Sequence, residues 1–351
     1  MKILNYLLAA AMLLAFAACS DDDEPAALPE EDILSEFDTQ FVATLCLRGY
    51  IGDPHRITPA DVESITELDL EGEIDDYYDG KGLTSLKGIE YFTALETLNC
   101  RQNQLTSLDV SRNTRLKYLD CSQNQLTALD VSRNTELDTL YCFDNELTSL
   151  DLSRNTELTF LYSQGNPLGS LDVSRNTKLT YLNCWGNQLA ALDVSRNTEL
   201  EELTCGYNQL TTLDVSRNTA LKHLDCYKNQ LTSLDLSRNV ELDTLFCAGN
   251  RLAALDLSRS TKLTYLACYD NLLPSLDVSR NTTLKHLWCS SNRLVSLDLS
   301  QNRALTYLAC SRNPGKDGIF ELTLWPGSEL RERFESWEYE GQTVEMKYVE
   351  E

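Results

Sequence analysis

The chain has 351 residues, 54 acidic against 30 basic, and a net charge of −24 at neutral pH. So acidic a surface repels phosphate backbones and anionic headgroups, which excludes nucleic acid as a partner. Twelve cysteines against three histidines, with no close Cys-x-x-Cys pair, argue against a zinc site, and no cofactor is expected.

Met1-Lys2, the apolar run Ile3–Phe16 and the small residues before Cys19 read as a signal peptide over residues 1–18. The run is too short to be a good membrane span. Phe16-Ala17-Ala18-Cys19 resembles the lipobox of bacterial lipoproteins, with Phe16 where Leu is usual; the resemblance implies lipidation at Cys19. Plain secretory cleavage near Ala18 is the alternative. Residues 19–30 form an acidic tether, part of a stretch to Gln40 with nine acidic residues and no Lys or Arg. Acid directly after the cysteine is similar to the surface-export signal of Bacteroidetes lipoproteins. That implies an outer-membrane anchor and display on the cell surface, against a simple soluble spacer.

Residues 31–94 read as an N-terminal cap with irregular first repeats. Ile33, Phe37, Phe41, Val42 and Leu45 share one face of a predicted helix. Thr58-Pro59-Ala60-Asp61 supplies an N-cap, a proline at the first helical position and an acid three residues after the cap, so a second short helix starts there. Ile65, Leu68 and Leu70 make a first strand-like unit, Asp75–Gly80 a loop, and Leu83–Leu86 enters the register of a repeat.

From Leu95 to Asn113 runs Leu-x-x-Leu-x-Cys-x-x-Asn and then Leu-Thr-Ser-Leu-Asp-Val-Ser-Arg-Asn. The unit returns every 21 residues at Leu116 and onward to Leu305, with no insertion or deletion. A fixed period of this length is the mark of a solenoid. Two near-equal half-units leave no room for a helix, so the expected fold is a β-solenoid with two short parallel strands per coil, capped by helix at its N-terminus. The pattern resembles the 21-residue bacterial leucine-rich repeat class called IRREKO, in its cysteine form, over about residues 83–313. The resemblance implies an exported protein that binds other molecules, with no shared activity. Ser163 replaces one cysteine, Ser260 one asparagine and Gln301 one arginine.

Cys100 and its ten-coil series to Cys310 occupy the slot that Val110 fills in the second half, so they point inward as apolar filler. Neighbouring strands hold such positions about 4.8 Å apart, wider than the roughly 3.8 Å a disulfide prefers. Asn103 to Asn313 form a second column, placed to bond backbone groups of its own and the adjacent coil. An outward Asp column runs from Asp109 to Asp298; arginines three positions on, from Arg112 to Arg280, are expected to neutralise it through ion pairs. A calcium stack is the alternative.

The first half-coil varies on its outer positions and holds every aromatic residue between 95 and 313. The candidate ligand-binding residues are Tyr141, Phe143, Phe160, Tyr162, Tyr181, Trp185, Tyr207, Tyr227, Phe246, Tyr265, Tyr269, His286, Trp288 and Tyr307, with Tyr118 and His223 on the same face. Exposed aromatics on a sheet are usual anchors of recognition, although strand propensity and mutual stacking also explain them. Adjacency suggests one cluster of Tyr141, Phe143, Phe160, Tyr162, Tyr181 and Trp185. A second joins Phe246, Tyr265, Tyr269, His286, Trp288 and Tyr307.

Residues 314–351 read as a C-terminal cap. Ile319, Leu322 and Leu324 are expected in strand, Ser328–Phe334 in a short helix, Thr343–Val349 in an edge strand, and Trp325 and Trp337 over the last coil. No catalytic constellation appears, since His55 lies in the cap and His223 and His286 stand three coils apart. The expectation is a monomeric surface module that binds a protein or glycoprotein; the alternatives are a glycan-capturing lipoprotein serving an uptake system, with Trp185 and Trp288 as stacking planes, and a spacer without a ligand.

Overall fold

The computed structural model describes residues 31–72, 82–330 and 335–350. The expected signal peptide, Cys19, the acidic tether, the Asp75–Gly80 loop and part of the Ser328–Phe334 helix lie outside the described residues. Asp38 caps helix α1 (Thr39–Leu47) by accepting from the N–H groups of Gln40 and Phe41 at 2.8 and 3.1 Å. The apolar run from Ile33 is therefore divided: Leu34–Glu36 makes a single 3-10 turn and the helix proper starts only after the cap. Ile33, Phe37, Phe41, Val42 and Leu45 all remain buried. Helix α2 (Pro59–Val62) starts as its sequence predicts, with the Asp61 carboxylate accepting from the Thr58 N–H and hydroxyl.

Strand β1 (Glu67–Asp69) opens a parallel sheet, and β2 (Thr97–Asn99) pairs with it. Each later coil adds one strand: β3 (Tyr118–Asp120), β4 (Thr139–Tyr141), β5 (Phe160–Tyr162), β6 (Tyr181–Asn183), β7 (Glu202–Thr204) and β8 (His223–Asp225). Then come β9 (Thr244–Phe246), β10 (Tyr265–Ala267), β11 (His286–Trp288), β12 (Ser296–Asp298) and β13 (Tyr307–Ala309). All but β12 form a single 12-stranded parallel sheet in chain order. From β2 on, each residue pairs with the one 21 positions later, as Leu98 with Leu119 and Leu119 with Leu140. The result is a β-solenoid, and the period alone dictates its register.

The core is a stack of identical rows. Leu116, Leu119, Cys121, Leu126 and Val131 are fully buried, and the same slots are buried in every coil. Ten cysteines from Cys100 to Cys310 stand in this core, and burial pushes the thiols of Cys142, Cys184 and Cys268 up to about 12. Asn124 shows how the coils are tied. Its amide donates to the carbonyls of Cys100, Cys121 and Ser122, and its oxygen accepts from the Leu105 N–H at 2.9 Å.

The second half-coil is less regular than a second strand per coil would be. It runs extended, yet apart from an Asp109–Asp130 bridge and β12 it forms no ladder among the described residues. Along this half Asp130 turns its carboxylate back to accept from the Ser132 N–H at 2.9 Å, and this repeats down the column. The carboxylates that do this are not in ion pairs with Arg112 and its counterparts among the described residues, contrary to the expected Asp–Arg ladder; their pKa values are lowered first by the Ser bonds. Ion pairs between coils occur elsewhere, between Lys117 and Glu96 and between Lys222 and Glu201.

A second asparagine column, Asn113 to Asn302, is buried in this half. Asn134 donates to the carbonyls of Val110 and Asn113 at 3.0 and 2.8 Å, while its own oxygen has no partner.

Beyond Asn313, β14 (Ile319–Leu324) pairs with β12 and β16 (Gln342–Glu350), and β15 (Ser336–Tyr339) completes a four-stranded sheet ordered β12-β14-β16-β15. The Thr343–Val349 segment is thus an inner strand, because the hairpin through Glu340-Gly341 folds β15 onto its free side. Ser328–Leu330 is not helical. Trp337 packs against Phe320 and donates its indole N–H to the Asn313 carbonyl at 2.7 Å, sealing the last coil, and Trp325 packs partly buried on the core.

Candidate binding face

The outer side of the 12-stranded sheet is built from three outward positions per coil plus a turn residue. That turn residue has positive φ in every coil, from Gln102 (58°) through Tyr207 (51°) and Lys228 (50°) to Arg312 (58°), with glycine at 165, 186 and 249. Positive φ is uncommon for side chains other than Gly, Asn and Asp. Here the inter-coil backbone bonds impose it whatever the side chain, as in Tyr207 N–H to Tyr227 O at 2.7 Å and Gly186 N–H to Gly206 O at 3.0 Å.

All fourteen predicted binding residues lie on this face. None is fully buried, and Tyr207, Tyr265 and Tyr307 are exposed at 40, 38 and 46%. They form three main groups and a separate pair. The first runs through Tyr118, Tyr141, Phe143, Phe160, Tyr162 and Tyr181, with Phe160 and Tyr181 stacked at 4.1 Å and the Phe143 and Tyr162 rings tilted against each other at 4.8 Å. Partial burial raises the phenol pKa values of Tyr141 and Tyr162, and pushes Tyr118 up to about 12.

Trp185 does not join this group as expected. A Cβ on Gly206 would stand 2.9 Å from the Trp185 ring, so glycine there lets the indole lie toward the next coil. It meets Tyr207 at 4.5 Å, and Tyr207 continues to Tyr227 and Tyr269, making the second group. The third comprises Tyr265, His286, Trp288 and Tyr307, with His286 stacked on Tyr265 at 4.6 Å. Phe246 and Tyr269, expected in it, belong elsewhere: Phe246 meets His223 edge-on at 5.6 Å.

In four coils a polar side chain at the middle outward position is used by the scaffold. Asn99, Asp120, Asn183 and Asp225 each accept from the N–H two residues on. Burial raises the carboxyl pKa values of Asp120 and Asp225, the opposite of the shift in the second-half Asp column.

Three features escaped the sequence reading. Arg101 sits over the Phe143 ring at 5.3 Å, and Lys228 lies over Tyr207 and Tyr227 at 4.7 and 5.5 Å. Charge is also graded along the face. Glu71, Asp120, Asp144 and Glu146 outnumber Arg101 in its N-terminal coils, whereas Lys228, Arg251, Arg293 and Arg312 outnumber Asp225 and Asp270 in its C-terminal ones. Aligning coils on the positive-φ position shows only part of it, since that column holds Asp144, Lys228 and Arg312 but also Asp270. Groups of His, Cys, Asp or Glu able to hold a metal are absent among the described residues. The indentations around Ser107–Arg112 and Arg196–Arg217 lie on the second-half side, away from the aromatic groups.

The coil, the single parallel sheet and the buried Leu, Cys and Asn rows define a leucine-rich repeat solenoid with a cysteine ladder. Residues 93–134 match the family model described as leucine rich repeats, in two copies. The chain is similar to the functional domain of InlJ from Listeria monocytogenes, which includes a cysteine ladder: identity is 37% and TM-score 0.74, over 81% of this chain and 61% of that one. It thus spans about three fifths of that relative. A leucine-rich repeat protein of Leptospira interrogans is 26% identical at TM-score 0.65, over 72% of this chain and 68% of that one. An internalin, InlF of Listeria monocytogenes, shares the fold at 24% identity and TM-score 0.65, over 84% of this chain and 95% of that one. None of the curated proteins matches the chain.

Proposed function

We propose that the protein is a surface-displayed lipoprotein, anchored through Cys19, that binds a protein or glycoprotein on the aromatic face of its sheet. The observation that carries this reading is the asymmetry of the coil. Every aromatic of the repeats stands on one side, partly exposed, intermixed with paired cations and with carboxylates. Mixed aromatic, cationic and acidic patches are the composition of protein-binding surfaces. The likeness to the InlJ functional domain supports an interaction module, and the Phe16–Cys19 motif with its acidic sequel supports the anchor and outward display. We read the protein as a monomer on its partner's surface.

The test is an array of host and bacterial surface proteins alongside polysaccharides, probed with the protein and with a Trp185→Ala, Trp288→Ala double variant. Saturable binding to protein spots, weakened in the variant, supports the reading. Binding to polysaccharide spots alone, lost in the variant, replaces it with glycan capture.

A further inference from the structure

The positive-φ column holds glycine at 165, 186 and 249, and these glycines do not serve the backbone, because eight other coils hold side chains in the same conformation. Each bears on a neighbour. The Asp144 carboxylate lies where a Gly165 Cβ would be, and Lys228 lies against Gly249. At Gly186 a Cβ would meet only the Gly165 backbone, at 3.7 and 3.9 Å, so no side chain stands there.

A notch results. Its floor is the backbone of Gly186, one wall is Asp144 lying over Gly165 in the coil of β5, and the other is Trp185 lying over the coil of β7 at Gly206. The walls are two strand spacings apart, about 10 Å between centres, which leaves room for one slender group. Asp144 is exposed and has no cation paired with it among the described residues, although its coil is flanked by Glu146 and Asp120.

The protein shows what such a place takes. Other rings on this face carry a cation from the chain itself: Arg101 lies on Phe143, and Lys228, beside Gly249, lies on Tyr207 and Tyr227, the rings that follow Trp185 in its own group. The Trp185 notch has the glycine floor, the aromatic wall and a carboxylate in addition, without a resident cation. We propose that it receives a lysine or arginine side chain of the bound protein, held between the Asp144 carboxylate and the Trp185 indole. A cation over an aromatic ring and beside a carboxylate gains from both. This rests on the protein-binding reading and names the chemistry the partner must present over the acidic, N-terminal coils.

The experiment monitors the four tryptophan indole N–H resonances of the full-length, 15N-labelled protein, with Trp185 assigned by its loss in Trp185→Phe. The probes are N-acetyl-arginine methylamide and N-acetyl-lysine methylamide, with N-acetyl-norleucine methylamide and maltose as neutral counterparts. The expected result is a saturable shift of the Trp185 resonance with the two cationic probes and none with the neutral ones. Asp144→Asn weakens it about threefold, and Asp172→Asn, an equal charge change on the other half-coil, leaves it in place. Unmoved resonances of Trp288, Trp325 and Trp337 show that each variant is folded. A shift with maltose but not the cations, equal loss in Asp172→Asn, or no loss in Asp144→Asn overturns the proposal. Protein spots that still bind Asp144→Asn at full strength overturn it while leaving the protein-binding reading intact; an array without protein binding removes both.

Discussion

Each coil joins two half-units written on nearly the same template, and they behave differently because of the residues placed after the second leucine of each. In the first half a cysteine and free outer positions let a strand pair on both sides, so the outer side chains are unconstrained and can diverge. In the second half Asp and Ser close an Asx turn from Asp109 through Asp298, so the outer position serves the backbone in coil after coil, whereas the first half spends it so only at Asn99, Asp120, Asn183 and Asp225. One half can therefore carry a binding surface and the other cannot. The same lesson appears within the face, where Asn183 and Asp225 interrupt the aromatics because they cap their own turns.

The largest test of this division compares the two asparagine columns. Asn145 donates to the carbonyls of Cys121 and Cys142 and accepts from the Leu126 N–H. Asn155 only donates, to Val131 and Asn134, and its oxygen is already unpaired. Asn145→Ala should cost about 3–5 kcal/mol and Asn155→Ala about 2, from the buried groups each leaves unsatisfied; urea denaturation measures both. Equal losses would erase the distinction.

Acid should separate the halves by sign. The lowered pKa of Asp130 and its column contributes stability that is full above the unfolded value near 4 and is lost as pH falls from there through the lower folded value. Asp120 is raised, so its contribution is greatest when protonated and is lost as pH rises from near 4 through its folded value. At pH 7, Asp120→Asn should raise the urea midpoint and Asp130→Asn lower it, with both differences shrinking by about pH 3. Asn99 and Asn183 already make the same turn bond as Asp120, so the acceptor survives the change.

A smaller effect is expected on the face itself. Phe160→Ala removes the stack on Tyr181 and should cost about 1 kcal/mol in stability, far less than a core asparagine, while weakening binding to protein spots. A large stability loss with unchanged binding would return the aromatics to a purely structural role. The smallest effect is a gain. Ser260 sits fully buried where other coils have asparagine, and its hydroxyl is unpaired. Ser260→Asn should supply the two missing donations to the carbonyls of Leu236 and Asn239 and add roughly 0.5–1 kcal/mol, read as a higher thermal midpoint.

The period made most of this legible. Register, inward cysteines, the first asparagine column and the side bearing the aromatics derive from positions modulo the repeat, and Thr58-Pro59 marked its helix. Side-chain lean did not. Trp185 groups with Tyr162 and Tyr181 on spacing alone, because spacing treats neighbours on both sides alike, and only Gly206 decides that the indole goes forward. Arginine beside aspartate suggests ion pairs, but a serine N–H two residues away is nearer and wins. Part of the notch was hidden for a similar reason: a glycine reads as a turn until it is seen that its neighbours manage the turn without it.

That independence of backbone from side chain at the turn has an evolutionary consequence. Because Gln, Asp, Gly, Tyr, Lys, Ser and Arg all occupy the same bend, a coil can be duplicated, deleted or exchanged whole without disturbing the hydrogen bonds of those beside it. Recombination between near-identical units would shuffle wall, floor and cation along the array, so that recognition can change by rearranging existing pieces faster than by altering any one of them.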